Sequence, residues 1–315
     1  MLYEKKIIMI ASIVIPTHER YNELRNCLLS FRNLKYNNKY EIIVIANGNK
    51  DDKAVKLVLG DFKDLPIRSF FYPQKLGAAG AKNKGIEKAR GEVIVFIDDD
   101  VVVEPNWLSE LMRCYKDKDI AAVGGSEIKP YSTGIMRKIW FKMRRNVTGK
   151  ILSSGEVISN FSPYKKQVEG VDCLPGANMS IRADVLKRIG GYDEFYGGNG
   201  YREETDFGPR IKKLGMKILF NPKASLYHKE SNAGGNVSAM DIKKWCYWYY
   251  RNHTYFYMKN LYQGKKLEWQ RFVLRQYNDV LLRSLMFRSF APITQLSAIK
   301  EGKSGWNARM SVKKS

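Results

Sequence analysis

Cysteine is scarce in this chain: Cys27, Cys114, Cys173 and Cys246 lie far apart in 315 residues, with no CxxC or other metal-ligand spacing. That pattern excludes a disulfide scaffold and a zinc module, and fits the reduced thiols of a cytosolic protein. Long apolar runs are missing too, and none approaches the roughly 20 residues that cross a bilayer. Met1–Met9 mixes Glu4, Lys5 and Lys6 with short apolar stretches, which is not the pattern of a signal peptide. The expected location is cytoplasmic. Acid is in short supply, with 32 Asp+Glu against 54 Lys+Arg. Half of the net charge of +22 falls in residues 241–315, which hold 15 Lys/Arg and 4 Asp/Glu. Such a block suits a polyanion: an anionic membrane face, a nucleic acid or a phosphorylated substrate.

Against this basic background stands one dense acidic feature. The apolar run Val93-Ile94-Val95-Phe96-Ile97 leads straight into Asp98-Asp99-Asp100. Carboxylates fixed at a buried strand end repel one another unless a cation neutralises them, so the triplet reads either as a divalent-metal site or as a solvated acidic turn. Asp98 and Asp100 are expected to project to the same side of an extended chain, as two ligands of one divalent metal should.

The first half of the chain alternates strand-like and helix-like segments. Strands are expected at Ile10–Ile15, Glu41–Ile45, Ile67–Tyr72 and Val93–Ile97. Helices are expected at Asn22–Leu34, Asp51–Leu59, Ala78–Ala89 and Pro105–Lys116. This order predicts an α/β fold with a parallel sheet between helices. Ligands in such folds bind at the carboxyl ends of strands, which puts Pro16-Thr17, Ala46-Asn47-Gly48 and Asp98–Asp100 on one rim. Further along, Arg202-Glu203-Glu204-Thr205-Asp206 is expected to open a helix ending at Gly215, with Pro209 in its first turn. Lys217–Leu219 and Ala224–His228 read as two more strands. Beyond them, Trp245–Arg251, Tyr255–Tyr257 and Val280–Arg288 interleave aromatic or aliphatic residues with Lys and Arg. They read as amphipathic helices that lie in a membrane interface or pack back on the domain.

Taken together, Ser12–Thr17 with Arg20, Gln74–Ile86, Asp98–Asp100, Gly176–Asn178, Gly190–Glu194 and Glu203-Glu204 resemble, in order, the motifs of a family-2 glycosyltransferase. The resemblance covers about Ser12 to His228 and implies a GT-A fold: a mixed sheet flanked by helices, with a C-terminal helical extension. It implies a domain at 10–235 (a nucleotide-binding half at 10–125 and an acceptor half at 126–235) and a basic extension at 236–315. It also implies inverting transfer of a sugar from a nucleoside-diphosphate donor, UDP- or dTDP-linked, to a hydroxyl of a glycan or lipid-linked glycan.

By that resemblance Mg²⁺ or Mn²⁺ is held by Asp98, Asp100 and His228, and neutralises the charge on the departing diphosphate. The donor is met by Pro16, Thr17, Arg20, Asn47, Lys75, Gly80, Lys82, Asn83, Asp98 and Asp99. Gly176, Ala177 and Asn178 lie toward the acceptor. Glu204 is the general base an inverting transfer needs, with Glu203 the second candidate. Ala46 stands where the family carries an acid, and Asn47 or Asp51 is the expected substitute.

Other classes fit less well. A nucleotidyltransferase needs a glycine-rich loop after its first strand, and Pro16–Arg20 has no glycine. A strand-end Asp phosphatase carries a nearby Thr where Val101-Val102-Val103 follows here. A nucleic-acid adaptor leaves the acidic triplet and Glu203-Glu204 unexplained, so no nucleic-acid partner is expected. The basic extension is expected to touch an anionic membrane from the cytoplasmic side.

Overall fold

The computed structural model describes residues 10–48, 53–129, 147–161, 166–229, 240–287, 293 and 296–312. Asp51, most of the basic segment Met136–Lys150 and the expected boundary at 235/236 lie outside the described residues.

Four strands open the sheet: β1 (Ala11–Thr17), β2 (Tyr40–Asn47), β3 (Ile67–Tyr72) and β4 (Val93–Ile97). They pair in parallel in the order β3-β2-β1-β4. Helices Tyr21–Phe31, Lys53–Gly60 and Gly77–Lys88 make the crossovers. Alternate side chains of β1 and β4 feed two cores, as a period of two requires. Ile13, Ile15, Val95 and Ile97 meet Leu24, Leu28, Phe31 and Trp107 on one face. Val14, Ile94 and Phe96 meet Ala79, Ala81, Met179 and Phe207 on the other. Each such buried side chain contributes about 1.5–3 kcal/mol, so a one-residue slip of either strand would cost both cores at once.

The second half extends the same sheet. After β5 (Val101–Val103) come β6 (Ile120–Ile128), the small hairpin β7–β8 (Lys150–Ile151 with Val157–Ile158), β9 (Val168–Glu169), β10 (Asn178–Arg182) and β11 (Lys217–His228). β10 inserts antiparallel between β4 and β6, while β11 runs parallel to β6 and is edged by β5 and β9. The sheet is therefore mixed: parallel through β3-β2-β1-β4 and again between β6 and β11, and antiparallel around β10 and at the β5 and β9 edges. The two strands expected at 217–219 and 224–228 are one strand whose register against β6 shifts between Asn221 and Leu226. The expected division at 125/126 falls inside β6, because both halves share one sheet.

Residues 201–206 form turns, and the helix expected from Arg202 begins only at Phe207, ending at Lys212. Arg202 takes φ 77°, a left-handed conformation that no helix residue adopts. It is held there by stacking on Tyr201 and by donating from Nε to His253 Nδ1 at 3.2 Å. The C-terminal part folds back on the domain as three helices, Ile242–Asn260, Lys266–Phe287 and Ser297–Val312. The first buries Cys246, Tyr250, Tyr255 and Phe256. Its Trp248 ring lies on Gly198, where a Cβ would come within 2.2 Å of it and where φ is +63°, so this loop position accepts only glycine. No helix among the described residues is long and apolar enough to cross a membrane.

Candidate active site

The strands β1, β2, β4, β6 and β11 all point the same way, so their carboxyl ends share a rim. The acidic triplet lies there, in a turn between β4 and β5. Asp98 and Asp100 are not brought together by strand alternation, since the strand ends at Ile97 and the chain turns at Asp99-Asp100. They converge across the turn instead, with His228 from the end of β11: one ligand atom from each of the three lies within 4.8 Å of the others. Two carboxylates and one imidazole make a donor set that suits Mg²⁺ or Mn²⁺. The electrostatics fit as well. Burial pushes Asp98 upward against the pull of Lys82 and His228, and takes Asp99 to about 7 against that of Arg20.

Basic side chains offset part of the cluster's negative charge. Arg20 donates to Asp99 Oδ1 and Asp100 Oδ2, both at 3.1 Å. His228 Nε2 lies 3.2 Å from Asp100 Oδ1 and its Nδ1 3.6 Å from Glu127 Oε2. Burial works against a charged His228, but Asp100 and Glu127 outweigh it and raise it to about 10. Glu127, at the end of β6, also accepts from the Ala177 amide at 3.0 Å. At 3.6 Å it stands beyond hydrogen-bond reach of the imidazole, and its charge favours the protonated ring. Sequence reasoning missed it; its position at the end of a strand entering the rim was the available signal.

A second cluster adjoins the first. Lys82, from the helix Gly77–Lys88, is buried with its Nζ 3.1 Å from both Glu203 Oε1 and Glu204 Oε1. Its ammonium sits over the Tyr192 ring at 5.0 Å. Burial opposes its charge, but Tyr192, Glu204 and Glu203 outweigh that and hold it well above the ordinary lysine range. The two glutamates differ. Glu203 is sealed, with its side chain 3% exposed, and burial, helped by Glu204 and Asp98, pushes it up to about 8 against Lys82. Glu204 is 23% exposed and lies against the backbone of Gly176, where a Cβ would fall 2.6 Å from its Oε1. Asp98 acts electrostatically on Lys82, Glu203 and Glu204, so the clusters form one field.

Several residues expected at the donor spend their polar atoms inside the protein. Asn47 donates to Thr17 O at 3.2 Å and accepts from the Leu76 amide at 3.2 Å, pinning two rim loops together. Asn83 bonds Tyr192 O, the Tyr192 amide and Glu194. Lys82 faces the glutamates. Asn178, expected toward the acceptor, is fully buried, donating to Ser126 O and Ala224 O and accepting from Trp107 Nε1. Such a side chain has no atom left for an acceptor. Thr17 and Gly80 are buried, Ala177 is 3% exposed, Pro16 is half-buried and Lys75 is open to solvent. Ala46 is buried beside Thr17 in the β1–β2 pairing, and His18 Nδ1 bonds Asn47 O at 2.7 Å.

The segment carrying the glutamates is tied down from the C-terminal helices. Lys259 Nζ lies 2.7 Å from both Asp193 Oδ2 and Asp206 Oδ2, bridging two points either side of Glu203-Glu204. Arg309 and Tyr255 also bond Asp193; Arg210, Asn260 and Tyr196 also bond Asp206. Together these hold the Asp193 carboxyl well below its usual range, where the nearby Lys259 outweighs the effect of burial.

Comparison with known proteins gives the family and the fold. Residues 12–190 match the model of the family described as Glycosyl transferase family 2. The chain is 26% identical over 230 residues to a glucosyl-dolichyl phosphate glucuronosyltransferase of Haloferax volcanii, covering 70% of this chain and 69% of that one. It is 31% identical over 223 residues to the glycosyltransferase GlyG of Streptococcus pneumoniae, covering 70% and 71%. Several longer relatives are matched over less than half of their length. Among solved structures, the mannosyltransferase PcManGT of Pyrobaculum calidifontis, in complex with GDP-Man and Mn²⁺, superimposes with a TM-score of 0.56 at 16% identity. That match covers 96% of this chain and 75% of that one.

Proposed function

The chain belongs to glycosyl transferase family 2, and on that premise we propose that it moves a sugar, with inversion, from a nucleoside-diphosphate donor to a hydroxyl of a glycan or lipid-linked glycan. A UDP- or dTDP-sugar is the expected donor, and a membrane face the expected place of work. The observation that carries this reading is the shared rim. A metal-competent set (Asp98, Asp100, His228) and a lysine-bridged glutamate pair (Glu203, Glu204) lie within one electrostatic field.

Asp98, Asp100 and His228 hold the divalent cation in this reading; bound there, it offsets the negative charge of the diphosphate. Glu204 is the base, because its carboxylate is the one that reaches solvent; it accepts the acceptor hydroxyl proton as the oxygen attacks the anomeric carbon. Lys82 fixes that carboxylate against Gly176 and balances its charge. Glu203, sealed and raised to about 8, holds Lys82 from behind. Asp99 with Arg20 and Thr17 frames the donor side.

The test is a thermal-shift panel of UDP, dTDP, GDP and CMP, each with and without Mn²⁺, on the native chain and on Asp100→Ala. A ligand at about 100 times its dissociation constant adds roughly 2.7 kcal/mol. The expected result is a metal-dependent shift with UDP or dTDP that Asp100→Ala abolishes. No shift with any nucleotide would overturn the reading and leave a membrane-associated basic scaffold in its place.

A further inference from the structure

The helix Lys266–Phe287 has two unlike faces. Its inner face carries Phe272, Gln276 and Val280, all buried. Phe272 stacks on Tyr257 of the helix Ile242–Asn260 with ring centroids 4.0 Å apart, and Asp279 and Arg283 bond Tyr250 and Tyr249 of that helix. The outer face presents Leu267, Leu274, Tyr277, Leu281, Leu282 and Leu285, between 43% and 76% exposed. These are half of the twelve exposed large hydrophobic residues among the described residues, gathered on one helix. Scattered exposed leucines need no explanation, but a row of this kind does.

The company this row keeps narrows what covers it. Arg271 and Arg275 are exposed beside the leucines, and Lys265 and Lys266 stand at the head of the helix. No carboxylate is fully exposed among them: Glu268 is half-buried beside Lys265, and Asp279 turns inward to Tyr250 and Arg283. A second copy of the chain docked on this face would set arginine against arginine with no acid to offset it. A surface that is apolar at depth and anionic above suits both residue types, since Arg buries its stem while its guanidinium reaches the headgroups. At 1.5 Å per residue the row is about 27 Å long, and the helix is not apolar enough to cross a bilayer.

We infer that the outer face of Lys266–Phe287 is a docking surface for anionic phospholipid, on which the helix lies flat with its leucines in the acyl boundary. This rests on the proposed membrane-linked acceptor and gives it a location. The inner face joins the helix to Ile242–Asn260, whose Lys259 grips the loop carrying Glu203 and Glu204. Lipid contact therefore fixes the height of the acceptor side above the membrane.

The test is flotation of the full chain with vesicles of phosphatidylcholine, alone or mixed with phosphatidylglycerol. The native chain is expected to float with the mixed vesicles. Leu274→Glu/Leu281→Glu/Leu285→Glu should bind them at least tenfold more weakly while keeping its melting temperature and its Mn²⁺-dependent nucleotide shift. Arg271→Gln/Arg275→Gln, which leaves the leucines in place, should lose most of the preference for phosphatidylglycerol. Failure of the native chain to float, or equal flotation of the leucine variant, would overturn the inference. So would a native dimer in light scattering that the leucine variant dissociates, because the row would then join two copies. Flotation without any nucleotide shift would uphold the surface and sink the transferase reading, so the two fail separately.

Discussion

The two carboxylate clusters on the rim are held in opposite ways. Asp98–Asp100 leave the end of β4, a strand buried along its whole length and paired on both sides, and the residues they meet come from the ends of β1 and β11. Backbone pairing sets their positions. Glu203 and Glu204 follow a left-handed Arg202 in a run of turns that belongs to no strand. Charged side chains from elsewhere set theirs: Lys82 from the crossover helix before β4, and Lys259 from the C-terminal helices. The acidic triplet thus rests on the sheet, and the glutamate pair on a few buried ion pairs. Buried pairs add little net stability when intact but cost a great deal when one partner is removed.

The contrast can be tested where it should be sharpest. Glu204→Gln keeps the shape of the site and removes the base. It should lower kcat for transfer by about 10²–10⁴-fold while the Mn²⁺-dependent nucleotide shift persists, since the donor side is built separately. A variant that loses nucleotide binding with its activity would show that the two clusters are not independent.

Lys259→Met removes the cation that Asp193 and Asp206 share and leaves Arg309 with the first and Arg210 with the second. A loss of about 1.5–3 kcal/mol in urea unfolding is expected, partly recovered in Lys259→Arg. The exposed Lys84–Glu87 pair is the control; Lys84→Met should leave the urea midpoint essentially unchanged. Equal small losses in both would mean the acceptor loop is held by packing alone.

A further effect is in pH. The native Glu203 carboxyl is raised from 4.5 to about 8, so between those values the folded protein binds a proton that the unfolded chain does not. Its stabilising contribution is complete below about pH 4.5 and is lost as pH rises through about 8, at no more than about 1.4 kcal/mol per pH unit. Asp193, held low, acts in the other sense: its contribution is present above 3.8 and is lost as pH falls. Melting temperatures of the native chain and Glu203→Gln from pH 5 to 9 should therefore converge or cross toward alkaline pH. Parallel curves would mean Glu203 is already ionised at neutral pH.

How far the sequence reached follows the same division. Strands β1 to β4 and the helices between them were legible, because alternating buried residues and helical spacing are local signals. The acidic triplet announced itself by following an apolar run, and His228 by ending a strand-like one. The helix start at Arg202 was misplaced because acidic residues there looked like capping, whereas they turn inward to lysines 121 and 53 residues away. Glu127 went unread for the same reason, as did the internal use of Asn178 and Asn83. The extension was read as amphipathic with two possible partners, and it uses both kinds of face. One helix packs inward, and the next packs inward while showing leucines outward.

The sequence by itself determined the family, the layered α/β order and the rim on which the acids gather, since these depend on periodicity and on neighbours along the chain. Only the tertiary structure decided which carboxylate is sealed and which is open, where Lys82 and Lys259 send their charge, and which leucines have no cover. Those outcomes depend on how much water each group keeps, and that is set by residues far away in the chain that arrive only when it folds.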